Sequence, residues 1–432
     1  MYNIPVSNIE PYSSQSVQVT HETFRPQPVY TELAKSFIPL EVTSPLTEIF
    51  PNENIWERIV VIDRIFQTVP TIFPVVKWCK PDLFVDNQGR STVRKYYEPL
   101  PIRQSMQICW GEINNTVAEG TMNERANPQD IIANKIREHI RSHNLTWDVY
   151  RAMMLNGGIV YTDPRTQVPV NISAMIPPHN LISYNNTSGW NGRNEANLFR
   201  SLVDSNAAGN ATIGVPFTNP DIAIVDLFRK LKRWCKDTNK VVITDCYCHP
   251  DMMEIILMSN EMKLAQGGIV PKFGAVSGDR TTESAVIVTP GSNPMLTNAV
   301  GLGASGDLVS IAGINMHTVD TIYKDPVDGI DKRVFPKNKL IFVARVDSEG
   351  RPEAPGRTQF CVSENSDGTP GLWTRTEEQT RIPAAPGMAM QMGNAGLPYL
   401  KYPDRIIHMK VAEVEEVNAR LGLVGDLGFG MF

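Results

Sequence analysis

The chain has 432 residues, room for two or three compact units, and its net charge of −5 with 20% charged residues gives no bulk pull toward nucleic acid. No apolar run approaches the roughly 18 residues that span a bilayer, and the opening MYNIPVSNIEPYSSQ lacks the basic and apolar regions of a signal peptide. Six scattered cysteines do not make a disulfide framework, so the expectation is a soluble protein made in a reducing compartment.

Residues 1–57 read as an arm. Pro5, Pro11, Pro26, Pro28, Pro39, Pro45 and Pro51 recur too often for long regular elements, and only Tyr30–Phe37 could form a short helix. Apolar residues such as Ile4, Ile9, Phe24 and Tyr30 are too frequent for a purely solvated tail, so the arm is expected to lie along a surface. Residues 58–117 are strand-like, with Arg58–Phe66 and Thr71–Trp78 rich in β-branched and aromatic residues. A turn at 86–89 precedes Ser91–Tyr97 and Ile102–Ile113, which predicts a long two-stranded excursion joined to a small sheet.

Asn127 to Gly158 reads as one long helix. Asn127 suits the N-cap, Pro128 the first helical position, and Gly157-Gly158 a left-handed stop. Ala133, Ile136, Ile140, His143, Trp147, Tyr150 and Met154 recur in steps of three and four on one stripe. Such a helix would be about 43 Å long, far beyond the usual globular length.

Ile159–Thr162 and Val168–Ile172 then predict a hairpin. Residues 173–218 read mostly as loop, with a short helix at Glu195–Val203. Asn219-Pro220 is expected to open a helix to Asp237, followed by a strand at Lys240–Asp245 and a helix at Pro250–Met258. Further strands are expected at Ala285–Val288, Leu308–Ile311, Ile314–Tyr323 and Lys339–Val346. Residues 347–380 read as polar loop, and the last strands as Ala389–Met392 and Arg405–Val414 before a glycine-rich end.

Three stretches imitate reactive motifs. Gly301–Gly306 matches G-x-G-x-x-G, with Asp320 near the place of a ribose-binding acid, but strand-like sequence comes next where a helix N-terminus would have to meet the pyrophosphate. Cys246, Cys248 and His249 invite zinc, yet Cys79, Cys109, Cys235 and Cys361 supply no second pair. His139 and His143 are four apart, as in H-E-x-x-H, but Ile140 stands where the glutamate should be. No catalytic, cofactor-binding or metal-binding residue is therefore assigned, and no enzyme activity is expected. The cationic residues interleaved through 219–237 read as a solvated helix face.

Taken in order, these pieces resemble a tailed-phage major capsid protein with the Hong Kong 97 fold, nearest the lambda-type, major capsid protein E-like family. The resemblance runs through the arm, the β excursion and the long helix, then Asn219–Asp237, Val241–Asp245 and His249–Leu257. Thr318–Arg345 and Met388–Val411 (MAMQMGNAGLPYLKYPDRIIHMKV) are its more specific parts, and it covers roughly residues 40–415. The long arm, the 173–218 insertion and the glycine-rich end depart from the family pattern.

The resemblance implies an α+β fold with an arm (1–57), an extended β loop (58–117), a peripheral domain (118–180) holding the spine helix 128–156, an axial domain (181–385), and a return to the peripheral domain (386–432). It implies self-assembly into the pentamers and hexamers of an icosahedral head, in a virion enclosing packaged DNA without a specific nucleic-acid site or a membrane. A portal and a scaffolding protein are the implied partners, with decoration proteins as an option and no cofactor. The rival readings are a cytosolic metal- or nucleotide-dependent enzyme and another virion component such as a tube or decoration protein; a jelly roll would be almost all strand.

Overall fold

The computed structural model describes residues 45–67, 90–109, 128–162, 169–184, 212–213, 216–220, 222–265, 269–271, 285–287, 300–302, 308–324, 329–346, 352–363, 368–379 and 387–421. The arm before residue 45, Thr71–Trp78, the proposed cap Asn127, the helix at Glu195–Val203 and the glycine-rich end lie outside these residues.

The described chain opens with helix α1 (Pro45–Ile49), β1 (Asn52–Asn54), β2 (Val60–Gln67), β3 (Arg90–Tyr97) and β4 (Leu100–Cys109). The long helix α2 then spans Pro128–Asn156, 29 residues, as its periodicity requires. Strands β5 (Gly158–Thr162), β6 (Pro169–Ser173), β7 (Leu181–Tyr184) and β8 (Thr212–Ile213) follow. Next come α3 (Ile224–Thr238), β9 (Asp245–Cys248), α4 (Pro250–Leu257) and α5 (Asn260–Ala265). A β-rich run continues with β10 (Ile269–Pro271), β11 (Ala285–Ile287), β12 (Val300–Leu302), β13 (Leu308–Ile311), β14 (Ile314–Thr318), β15 (Ile322–Lys324), β16 (Asp331–Arg333) and β17 (Lys339–Val343). The described chain closes with β18 (Gly356–Cys361), β19 (Trp373–Gln379), β20 (Gly387–Leu400), β21 (Ile406–Lys410) and α6 (Val414–Leu421). Among the described residues no helix is long and apolar enough to cross a membrane.

Several expected boundaries move, each for a local reason. Asn219-Pro220 lies in a turn closed by Asn219 N–H to Pro216 O (3.0 Å), so α3 begins only at Ile224. A distant carboxylate serves its first turn instead, with Glu261 Oε2 accepting from Val225 N–H at 3.0 Å. The strand expected at Lys240–Asp245 shifts to Asp245–Cys248, because Lys240 turns the chain at φ +59° and Val242 makes only an isolated bridge to Val346. The stretch expected to be one strand over Ile314–Tyr323 divides between two sheets, as β14 and β15.

Residues 347–380, expected as loop, hold β18 and β19; in β18, Thr358 Oγ accepts from Arg151 of α2, and Gln359 Nε2 donates to Glu53 of β1. The last expected strand ends at Lys410, and α6 comes after it, its start closed by Glu416 Oε2 accepting from Glu413 N–H at 3.1 Å. Gly157 and Gly158 do end α2, but at φ +133° and +154°, well outside the left-handed helical well near +57°. Gly158 is required by close approach, since a Cβ there would sit 2.6 Å from Ile172 O on β6.

Two sheets carry the fold. The larger has the order β12-β13-β14-β9-β17-β21-β7-β8 and is two-faced. Cys246, Cys248, Leu340, Phe342, Ile407 and Met409 point into a core with α3 and α4. The alternate residues Tyr247, Ile341, Val343 and Ile406 point into a second core with the C-terminal half of α2 and with Leu46, Ile49 and Phe50. Strict alternation across three adjacent strands sets the register, because a one-residue slip would exchange the two faces.

The second sheet runs along α2. Strand β20 is 14 residues long, pairs with β4 on one edge and with β19 and then β18 on the other, and β1 extends the sheet in parallel beyond β18. Trp147 is the peg between helix and sheet. Its ring meets Phe360 edge-on at 5.0 Å, and its Nε1–H donates to Asn394 Oδ1 at 3.0 Å. Space for it comes from Gly396, where an added Cβ would lie 2.7 Å from Gln359 O, 2.8 Å from Phe360 and 3.1 Å from Trp147. Because the first of these is backbone, Gly396→Ala should destabilise the chain by about 1–3 kcal/mol through overpacking. Denaturant unfolding at constant m-value measures this, and an unshifted midpoint would show that the seam tolerates a methyl group.

Candidate functional site

The motif residues are committed to packing. Cys246 and Cys248 are fully buried on the α3-facing side of β9, Cys248 as the last residue of the strand. Burial pushes the Cys248 thiol up to about 12 and the Cys246 thiol well above its ordinary range, opposite to what a thiolate ligand needs. His249 faces another task. It caps α4, its Nδ1 accepting from Asp251 N–H at 3.0 Å, while Nε2 lies 3.0 Å from Arg333. Both nitrogens are taken up by protein groups.

Gly301 and Leu302 lie in β12, and Gly303–Gly306 outside the described residues; the next described element is strand β13, not a helix N-terminus. Asp320 pairs with Arg333 at 2.7 Å. His143 is 1% exposed and its Nε2 accepts from Trp147 Nε1–H at 3.2 Å, in the seam. Beside it lies a cavity of about 270 Å³, walled also by Arg151, Phe360 and Asn394. On α3, Lys230 pairs with Asp226 and Lys232 donates to the carbonyls of Ala312 and Gly313 in the β13–β14 turn, while Arg229 and Arg233 face solvent.

An ionic network joins the start of the described chain to the larger sheet. Arg345, just past β17, bonds Glu48 of α1 and the hydroxyl of Tyr247, and its Nε lies 3.2 Å from Asp245. Asp245 also takes His317 Nε2 at 2.8 Å and Thr244 Oγ at 2.6 Å. Burial alone would raise the Asp245 carboxyl, but the His317, Thr244 and Arg345 contacts together hold it below the usual carboxylate range. This network fixes α1 and gives a geometry for holding.

Apolar surface is left open by the fold at the root of the β2–β3 ribbon. Trp56 is 71% exposed, Tyr96 67% and Ile59 51%, and Tyr96 lies across from Val61 on the ribbon's outer face. Trp and Tyr exposed together mark contact surface more often than solvated surface. The sequence reading missed this cluster because exposure depends on which face of β2 and β3 turns inward.

Residues 46–207 match the sequence profile of the family described as phage major capsid protein E. The fold is similar to a structure assigned as the capsid protein of a prophage in E. coli CFT073, with a TM-score of 0.51 at 10% identity over 88% of this chain and 99% of that one. The family match over residues 46–207 and the shared fold together support a phage major capsid protein with the Hong Kong 97 fold. A phage-related protein from Bordetella bronchiseptica RB50 (TM-score 0.46, 9% identity, 89% of this chain and 97% of that one) is also similar. So is the capsid of cyanophage P-SCSP1u (0.43, 11%, 84% and 87%). No curated protein matches the chain.

Its histidines link the seam to pH. His408 Nε2–H donates to Leu155 O at 2.7 Å, serving one of the free carbonyls at the end of α2. Burial and the nearby Lys339 charge push its pKa down to about 3, and burial with neighbouring His139 pushes His143 down to about 4. Both are neutral in the folded capsid protein and titrate near 6.5 when it unfolds. Their contribution is complete above pH 6.5 and is lost as pH falls toward 4. By pH 5 each should remove about 2 kcal/mol of stability. Unfolding at pH 7 and pH 5 measures the loss, and His408→Gln should shrink it; equal stability at both pH values would contradict the assignment.

Proposed function

We propose that many copies of this capsid protein close into the icosahedral head of a tailed phage, as pentamers and hexamers built from repeated heterologous contacts around packaged DNA. The observation that carries the reading is the 29-residue spine helix bedded on a five-stranded sheet, with a two-stranded ribbon leaving the same root beside exposed Trp56 and Tyr96. A two-stranded ribbon is marginal alone in water and gains its stability from a surface it lies on. In this reading residues 1–57 are the arm, 58–117 the extended loop, 118–180 and 386–432 the peripheral unit, and 181–385 the axial unit.

The role is structural and not enzymatic, the chain is made in the host cytoplasm, and a portal and scaffold take part in assembly, with decoration proteins as an option. The wall needs no nucleic-acid site: a net charge of −5 suits a surface that coexists with packed DNA without gripping it.

Electron microscopy of the full chain expressed alone, with sedimentation velocity on the same sample, tests the reading. Closed shells or rings of five and six support it, and a uniform dimer or tetramer would overturn it. Deleting residues 1–44 should reduce shell closure while the core stays folded. The deletion stops there because Leu46, Ile49 and Phe50 are fully buried. Normal shells without the arm would remove it from assembly.

A further inference from the structure

Among the described residues, buried arginines come with carboxylates, with one exception. Arg405, 1% exposed, meets Glu353 Oε2 at 3.3 Å and stacks on Tyr402. Arg151, 6% exposed, meets Asp148 at 2.9 Å together with Asn52 and Thr358. Arg64 is 0% exposed and donates through Nη2 to Ser173 O at 2.7 Å, while its Nε and Nη1 have no partner. The Tyr97 hydroxyl is the polar side chain beside it, and among the described residues no carboxylate pairs with it. The guanidinium stays protonated in such a place, and an uncompensated buried charge is costly to a fold.

Position explains why the ribbon cannot help. Val60, Ile62 and Arg64 alternate onto the inner face of β2, whereas Asp63 points outward and pairs with Arg94 of β3 at 2.6 Å. Among the described residues of β2 and β3, the one carboxylate is therefore on the wrong side. Beyond Arg64 on the inner face comes Phe66, which with Met175, Ile176, Pro177 and Asp404 lines an open groove. Met175 N–H is held by Ser173 Oγ at 3.1 Å, so the groove begins beside the residue whose carbonyl holds Arg64.

We propose that Arg64 is kept for a carboxylate of a second copy of this chain, which reaches it along the groove when shell contacts lift the root of the ribbon. This rests on the shell reading. The neighbours of a capsid protein are copies of itself, and this chain carries 46 acidic against 41 basic residues. Besides the apolar packing of Val60 and Ile62, this part of β2 is tied to the body by Ile65 N–H to Lys401 O and by Arg64 to Ser173 O.

Arg64→Met, close in length and uncharged, separates the possibilities in the full chain. In unassembled subunits its thermal midpoint should equal or exceed that of the wild type, because the unpaired charge is gone. Shell yield at equal concentration should fall about tenfold, the equivalent of one lost favourable contact of about 1.4 kcal/mol. A lowered midpoint would make Arg64 an ordinary structural residue, and an unchanged shell yield would remove it from assembly; either result overturns the proposal. A cryo-EM map of wild-type shells should place a carboxylate of a neighbouring copy beside Arg64, and a map without one also overturns it. A wild type that forms no shells would count instead against the shell reading.

Discussion

The insertion of Trp147 between α2 and β20 is the contact on which the rest depends. A long helix is stable in water only when its apolar stripe is covered, and here the cover is a sheet drawn from three distant parts of the chain. One indole does three things at once. It fills the hollow left by Gly396, packs edge-on against Phe360, and satisfies its own N–H on Asn394. A larger residue at 396 or an apolar one at 394 would remove one of these without replacing it.

From that seam the fold extends in two directions. The C-terminal half of α2 is buried nearly all round, against the face of the larger sheet that carries Tyr247, Ile341 and Val343. The opposite face holds α3 and α4, so one sheet joins both cores. His408 closes the end of the helix from within that sheet, and Arg345, just past the end of β17, ties α1 to it. These polar contacts are few, buried and specific. They fix where the apolar layers meet more than they hold them together, which is what a subunit needs if its shape must be the same in every copy of a shell.

The elements written by local periodicity were legible in the sequence. The helix Pro128–Asn156, the hairpin after it, the α3 stripe and the proline-started α4 follow from spacing and caps alone. The elements that escaped depended on distant partners. Strand β18 keeps polar Thr358 and Gln359 because they meet Arg151 and Glu53, 207 and 306 positions away in the sequence. The start of α3 was misplaced because Glu261, not Asn219, serves its first turn. Cys246, Cys248 and His249 looked like ligands because composition cannot say which side of a strand faces a core, or that a histidine caps a helix. The apolar cluster at the ribbon root and the unpaired Arg64 were invisible for the same reason.

Native-state hydrogen exchange on the unassembled capsid protein tests the central claim most directly. If the Trp147 seam makes α2 and β20 one cooperative unit, the amides of residues 147–155 and of 393–400 should exchange with a common opening free energy near that of global unfolding. The β2–β3 ribbon should open well below it. Exchange of the helix at a free energy clearly lower than that of β20 would contradict the account, because helix and sheet would then hold independently of each other.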